Sequence, residues 1–308
     1  MRIKLVGIVV LMLIAATTIS VVGVVNESED NTIDFKGGIF RQLPSLPDEP
    51  MPNFLGSDLN LEWQVYEDFS GLNRPICHIH WWGLTVIRDN DTWYPGSPES
   101  MTFDIIFYEN NNGEPGLVVF SFEDVIPEYV ETGIIYDYPD EWQDGPFELY
   151  HFDVDLGLCF DLTCGWVSII SKNSPTDSVL GWIESPDGNG NLYHNDIERD
   201  MDVSFILAEI GDPEIDVAIN DGLGVSVDIT NIGNETLSNI PIDIVVFGGF
   251  LSKTKVNKRV TINIEPGETK SIKSGLILGF GKIAIGIIAD DVVKYTSGFQ
   301  LLIFTKIQ

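Results

Sequence analysis

Two histidines and two tryptophans fall within nine residues, Pro75-Ile76-Cys77-His78-Ile79-His80-Trp81-Trp82-Gly83. On a β-strand alternate side chains face opposite sides. Ile76, His78, His80 and Trp82 are therefore expected on one face, and Cys77, Ile79 and Trp81 on the other. Two imidazoles on one face can share a metal ion if the fold brings a third ligand, from His151, His194 or an aspartate. The same pair can equally serve as hydrogen-bonded structural histidines beside tryptophan. The apolar and aromatic bulk marks the stretch as a central strand of a β-domain, and its neighbours must position these side chains.

A second pattern, Asp187-x-Asn189-x-Asn191-x-Tyr193-x-Asn195-x-x-Glu198, places oxygen ligands at positions 1, 3, 5, 9 and 12 of a calcium-loop template. Leu192 stands at the sixth position, where an EF-hand needs glycine, and no helical pattern flanks the loop, so an EF-hand is excluded. What remains is a calcium-stabilised loop between strands, with Asp187, Asn189, Asn191, Asn195 and Glu198 as ligands. Against it stands a plain turn rich in Asn, Asp and Gly. Ca²⁺ is the one cofactor this chemistry suggests.

Of the seven tryptophans, Trp81 reads as core, whereas Trp93 and Trp142 sit in loop-like, acidic surroundings. With His78, His80 and Trp82 they are the candidate binding residues, suited to stacking on sugars. No Ser/His/Asp motif, Gly-rich phosphate loop or Cys–His signature occurs. Paired carboxylates such as Asp153 and Asp155 are too frequent in so acidic a chain to mark a glycosidase. Asn26, Asn90 and Asn234 head Asn-x-Ser/Thr sequons and are candidate glycosylation sites.

The chain of 308 residues carries a formal charge of −30, of which residues 1–212 hold 37 acidic and 8 basic groups. No Lys or Arg occurs between Asp89 and Ser171. Such a surface repels phosphate backbones and excludes nucleic acid as a partner. A solvated surface suited to a salty or acidic habitat explains the acidity, and so does attraction of divalent cations.

Arg2 and Lys4 precede an apolar run from Leu5 to Val25, which predicts a hydrophobic helix over residues 1–25, either a cleaved export signal or a retained membrane anchor. In both cases the remainder lies outside the cytoplasm, secreted or held at the cell surface, touching a membrane only through this segment. Three cysteines fit an exported chain. The Cys159–Cys164 spacing predicts a disulfide at a hairpin end, adding roughly 2 kcal/mol for so short a loop, with Cys77 left as a buried small residue.

Residues 26–60 are polar and Pro-rich, and read as a disordered or extended lead-in. From Leu61 to residue 210, short β-type runs alternate with turn clusters such as Asn110-Asn111-Asn112-Gly113, predicting an acidic, jelly-roll-like β-sandwich. After a boundary near Pro213, seven further runs to residue 308 predict an immunoglobulin-like β-sandwich. The expected fold class is all-β apart from the N-terminal helix.

Val65-Tyr66-Glu67-Asp68-Phe69, then Arg74-Pro75-Ile76 and Ile79-His80-Trp81-Trp82-Gly83, resemble an uncharacterised β-sandwich family of exported bacterial and archaeal proteins. Phe103–Tyr108, Gly165–Ile169, Gly181-Trp182, His194-Asn195-Asp196 and Asp200–Phe205 continue the likeness over about residues 61–208. The resemblance implies a β-sandwich outside the cytoplasm and carries no activity. In the last segment, Thr230-Asn231-Ile232-Gly233-Asn234 followed by Pro266-Gly267-Glu268-Thr269-Lys270 is similar to the cell-adhesion-related (CARDB-like) domain of bacterial and archaeal surface proteins, which implies a spacer or adhesive module. The expected role is a non-enzymatic cell-surface protein acting in ligand or carbohydrate binding or adhesion, with glycans or cell-envelope proteins as partners. The alternatives are a structural envelope component without a small ligand, and a hydrolase.

Overall fold

The computed structural model describes residues 40–47, 51–89, 92–138, 144–172, 178–209, 214–250 and 254–308, all inside one compact unit, Phe35–Gln308. The N-terminal apolar segment and the 211–213 boundary lie outside the described residues. The first strands are β1 (Phe40–Gln42), β2 (Phe54–Ser57), β3 (Val65–Ser70), β4 (Ile76–Asp89), β5 (Thr92–Pro95), β6 (Phe103–Asn111), β7 (Glu114–Val125) and β8 (Glu128–Tyr136). They continue with β9 (Phe147–Phe160), β10 (Cys164–Ser171), β11 (Val179–Ser185), β12 (Leu192–His194), β13 (Ile197–Arg199), β14 (Asp202–Val203) and β15 (Phe205–Ala208). The later part holds β16 (Ile215–Asn220), β17 (Gly222–Leu223), β18 (Ser226–Asn231), β19 (Leu237–Gly248), β20 (Thr254–Ile264), β21 (Thr269–Lys273), β22 (Gly279–Ala289), β23 (Val292–Leu302) and β24 (Phe304–Ile307).

The described residues are all-β, in four sheets. A nine-stranded sheet runs β1-β15-β4-β11-β14, with β2 beside β11, β5 and β9 beside β4, and β8 beside β9. A six-stranded sheet, β13-β12-β3-β10-β6-β7, faces it across a core that includes Phe69, Trp81, Phe103, Phe152, Trp182 and Phe205. A three-stranded sheet, β16-β18-β21, and a second six-stranded sheet, β17-β24-β23-β22-β19-β20, enclose another core built from Val217, Val227, Ile229, Ile244, Ile285 and Ile287. A third core joins the two pairs. There Trp82, Leu84, Tyr136, Phe147 and Ile206 from the nine-stranded sheet meet Val245, Phe247, Ala284 and Ile288 from the second six-stranded sheet.

β4 shows why its sequence is apolar on both faces: one face feeds the first core through Trp81, the other the third core through Trp82, and both rings are 0% exposed. A strand covered on both sides reads as a continuous apolar run rather than an alternating one. β19 behaves alike, sending Ile242, Ile244 and Val246 one way and Val245 and Phe247 the other.

Three expectations are corrected here. Ile76 does not share the histidine face, because the β4–β9 register shifts between Ile76 and His78, and Ile76 joins the first core. The lead-in over 26–60 is partly ordered: β1 and β2 pair with β15 and β11, and the Phe40 ring lies tilted against Phe205 at 5.0 Å. Cys159 is bonded to Cys77, not Cys164, with Cα atoms 4.2 Å apart, and Cys164 is an exposed free thiol. The physical reason is the topology. β9 lies beside β4 and carries Cys159 to Cys77, whereas β10 departs to the opposite sheet and takes Cys164 with it, to a place across from Ser70.

Candidate functional site

The β4–β9 register sets His80 opposite Asp153 and Trp82 opposite His151. The third group that the two histidines needed is thus an aspartate from the neighbouring strand. His78 Nε2 lies 2.7 Å from Asp153 Oδ1, and His80 Nδ1 lies 2.8 Å from Asp153 Oδ2. The first contact is a hydrogen bond. The second is a close approach without hydrogen-bond alignment, since His80 Nδ1 has no aligned partner. The His78 and His80 rings are 4.8 Å apart, His151 stacks on His80 at 5.3 Å, and Trp82 lies 5.0 Å from His151.

The electrostatics follow from burial and these contacts. Burial opposes a charged His78, but the Asp153 hydrogen bond and the charges of Asp153, Asp155 and Asp291 prevail and raise its pKa. Burial would lift Asp153, yet its contacts with His78 and His80 hold it well below the usual carboxylate range. His151 is pushed down to about 3 by burial and then by its histidine neighbours, so it is neutral. With Asp153 ionised beside it, His78 is the group of the cluster that holds a proton. His78, His80 and Asp153 can also each present one metal-ligand atom, once the direct His–Asp contacts open. His194 sits apart on β12, opposite Val65.

Trp82 does not face a ligand. It is wholly buried because the second sheet pair covers it, and its Nε1 donates to Tyr295 Oη at 2.8 Å. Trp93 is half-buried at the surface, where its ring centroid is 5.8 Å from Trp63 and 6.0 Å from Phe54. The Arg88 guanidinium lies over both tryptophans, 5.4 Å from Trp63 and 5.7 Å from Trp93. Trp63 and Arg88 were missed in the sequence, although a tryptophan between Glu62 and Gln64 is a signal of its own. Trp142 lies outside the described residues.

The calcium-template side chains go to different partners. Asp187 takes Arg259 at 2.9 Å, Asn189 Nδ2 donates to Asp68 Oδ2 at 3.0 Å, and Asn195 Oδ1 accepts the Gln64 amide at 2.8 Å. The Asn191 side chain lies beside Asp68, and Glu198 is exposed on β13. The second half of the stretch is a hairpin, β12–β13, turned by Asn195 and Asp196 at φ 51° and 62°. Asn234 is exposed in its turn; Asn26 and Asn90 lie outside the described residues.

A salt-bridge chain closes the junction between the sheet pairs. Asp243, 0% exposed, receives Arg41 at 2.5 Å and Arg259 at 2.8 Å, and Arg259 reaches on to Asp187.

No family model matches the chain, and no curated protein matches it. Among solved structures it is similar to a Bacteroides uniformis β-glucuronidase, at 8% identity and a TM-score of 0.19, over 77% of this chain and 26% of that one. It is also similar to a putative β-galactosidase from Bacteroides fragilis, at 12% identity and a TM-score of 0.16, over 80% of this chain and 32% of that one. The chain thus spans about a third or less of each enzyme's length.

Proposed function

We propose that this is a non-enzymatic protein of the cell exterior that recognises a carbohydrate or similar ligand through an aromatic surface. Within it, a jelly-roll-like sandwich carries the site and an immunoglobulin-like sandwich supports it. The observation that supports this reading is the surface group of Trp63, Trp93 and Arg88. Two half-buried tryptophan rings and the exposed guanidinium that lies over them make an aromatic and cationic surface, which suits contact with a sugar. The basic start and apolar run before Val25 support placement outside the cytoplasm.

A glycan array with the full chain tests it. Binding that falls at least tenfold in both Trp93→Ala and Trp63→Ala supports the reading; binding unchanged by either, or none at all, overturns it.

A second reading, an envelope component that packs against neighbours, draws on the far end of the last sheet. There Leu223, Phe304, Leu301 and Phe280 follow one another across four strands and are 54%, 58%, 53% and 54% exposed. So continuous an apolar stripe is typical of a contact surface. Self-association abolished by Phe304→Asp, in the absence of glycan binding, would favour it.

A further inference from the structure

Glu67 on β3 occupies an inward position, between Val65 and Phe69, where the strand otherwise delivers apolar side chains. With Asp68 and Asp202 it forms a cluster of three carboxylates, 0%, 9% and 7% exposed, whose ligand oxygens lie within 4.8 Å of one another. Amide N–H groups hold part of this cluster. Val203 N donates to Glu67 Oε2 at 3.1 Å, Gly190 N to Asp202 Oδ2 at 2.8 Å, and Asn189 Nδ2 to Asp68 Oδ2 at 3.0 Å. The charges of Asp202 and Asp68 act on Glu67 with its own sign.

Part of the cluster is left unanswered. Glu67 Oε1 and Asp68 Oδ1 are buried without a hydrogen-bond partner, and so is Gln42 Oε1. Gln42 comes from a different strand, β1, is 2% exposed, and its side-chain amide lies beside the Glu67 carboxylate. All three orphans are acceptors, so what they lack is positive charge or a donor.

We infer that Glu67, Asp68, Asp202 and the side-chain carbonyl of Gln42 form a Ca²⁺ site. The donor set is oxygen only, which suits a hard cation and not zinc. Mg²⁺ usually keeps several waters and binds through one or two carboxylates, whereas a buried set of three carboxylates is an all-protein cage of the kind that suits Ca²⁺. The turn over Asp202 is shaped for close approach: Gly188 has φ +119°, and a Cβ there would lie 2.4 Å from the Asp202 carboxyl carbon. Of the residues in the calcium-loop pattern, Asn189 and Asn191 flank this site beside Asp68, and Asp187, bound to Arg259, does not belong to it.

Terbium luminescence on the full chain, freed of metal by chelation and dialysis, tests the inference. Trp166 stands directly opposite Asp68 in the β10–β3 pair and is the natural sensitiser. Tryptophan-excited emission should saturate at one ion per chain and yield to Ca²⁺ at concentrations at which Mg²⁺ has no effect. Glu67→Gln and Asp202→Asn should each weaken Tb³⁺ binding at least tenfold, while Asp187→Ala leaves it unchanged. The inference is overturned by the absence of saturable emission, by equal displacement with Mg²⁺, or by emission that survives both variants. It is also overturned if Asp187→Ala alone abolishes the signal. Should a variant not fold, the Ca²⁺–Mg²⁺ competition on the unaltered chain still decides.

Discussion

Trp82 and Tyr295 are joined by a 2.8 Å hydrogen bond that crosses from the nine-stranded sheet to the second six-stranded sheet. Both are in or against the core that the two sheet pairs share. Trp82→Phe leaves the Tyr295 hydroxyl without its donor and should cost about 1–3 kcal/mol. The double variant with Tyr295→Phe should cost little more than either single change, because no partner is then left unanswered. Thermal melts of the three proteins check this; strictly additive losses would contradict it.

Asp243→Ala should be more damaging than any exposed charge change. It strands Arg41, whose side chain is 10% exposed, and removes one partner of Arg259. Breaking a buried pair in this way costs about 3–5 kcal/mol. Asp187→Ala, which removes the half-exposed contact with Arg259 and the acceptor of the Leu43 amide at 3.3 Å, should cost about 1 kcal/mol. Denaturant melts of the two variants side by side provide the comparison.

A non-reducing peptide map of protein isolated without reductant should find Cys77 linked to Cys159 and Cys164 open to alkylation. The bond spans 82 residues of sequence, for which the chain-entropy estimate is about 4.5 kcal/mol. Cys159→Ser should therefore lower the melting temperature strongly, and Cys164→Ser should leave it unchanged. A Cys159–Cys164 peptide would refute the assignment.

Two groups, the half-buried Asp290 and the buried His151, give pH windows of opposite sign. Asp290 is pushed up to about 6 by burial and by Asp291. The folded chain keeps a proton that the unfolded chain, at about 3.9, has released. Its stabilising contribution is complete below about pH 4 and is lost as pH rises through 6. Asp290→Asn should flatten that decline and raise stability at pH 7. His151, near 3 when folded and about 6.5 unfolded, supports the fold above pH 6.5 and loses that support as pH falls towards 3. His151→Gln should blunt the acid loss. Melting temperatures measured between pH 3 and 8 separate the two.

Much of the fold is legible where one physical signal dominates. Val227 and Ile229 alternate with polar residues because β18 has one buried face, and the run Ile79–Val86 does not alternate because β4 has two. The short strands β1, β5, β12 and β13 leave no comparable trace, since three or four residues cannot show a period. The disulfide was misassigned because spacing measures distance along the chain, and β9 and β10 part into opposite sheets after Phe160. The histidine pair and an aspartate ligand were readable; that the aspartate would be Asp153 depended on a register set by the fold. The acidic cluster did have a local mark, a glutamate where Val65 and Phe69 demanded an apolar residue. Asp68 is its neighbour, but Asp202 comes from β14, far along the chain and beyond the reach of any local pattern.

The adjacency of Trp81 and Trp82 has a kinetic side. A slip of β4 by one residue would exchange the two indoles between their cores and move His80 to the opposite face. Neither compartment can then be filled correctly, so an error in one becomes an error in both. The tandem therefore acts as a proofreading device during assembly: the two halves of the molecule accept the same alignment or none, and a misaligned strand finds no partial reward in which to linger.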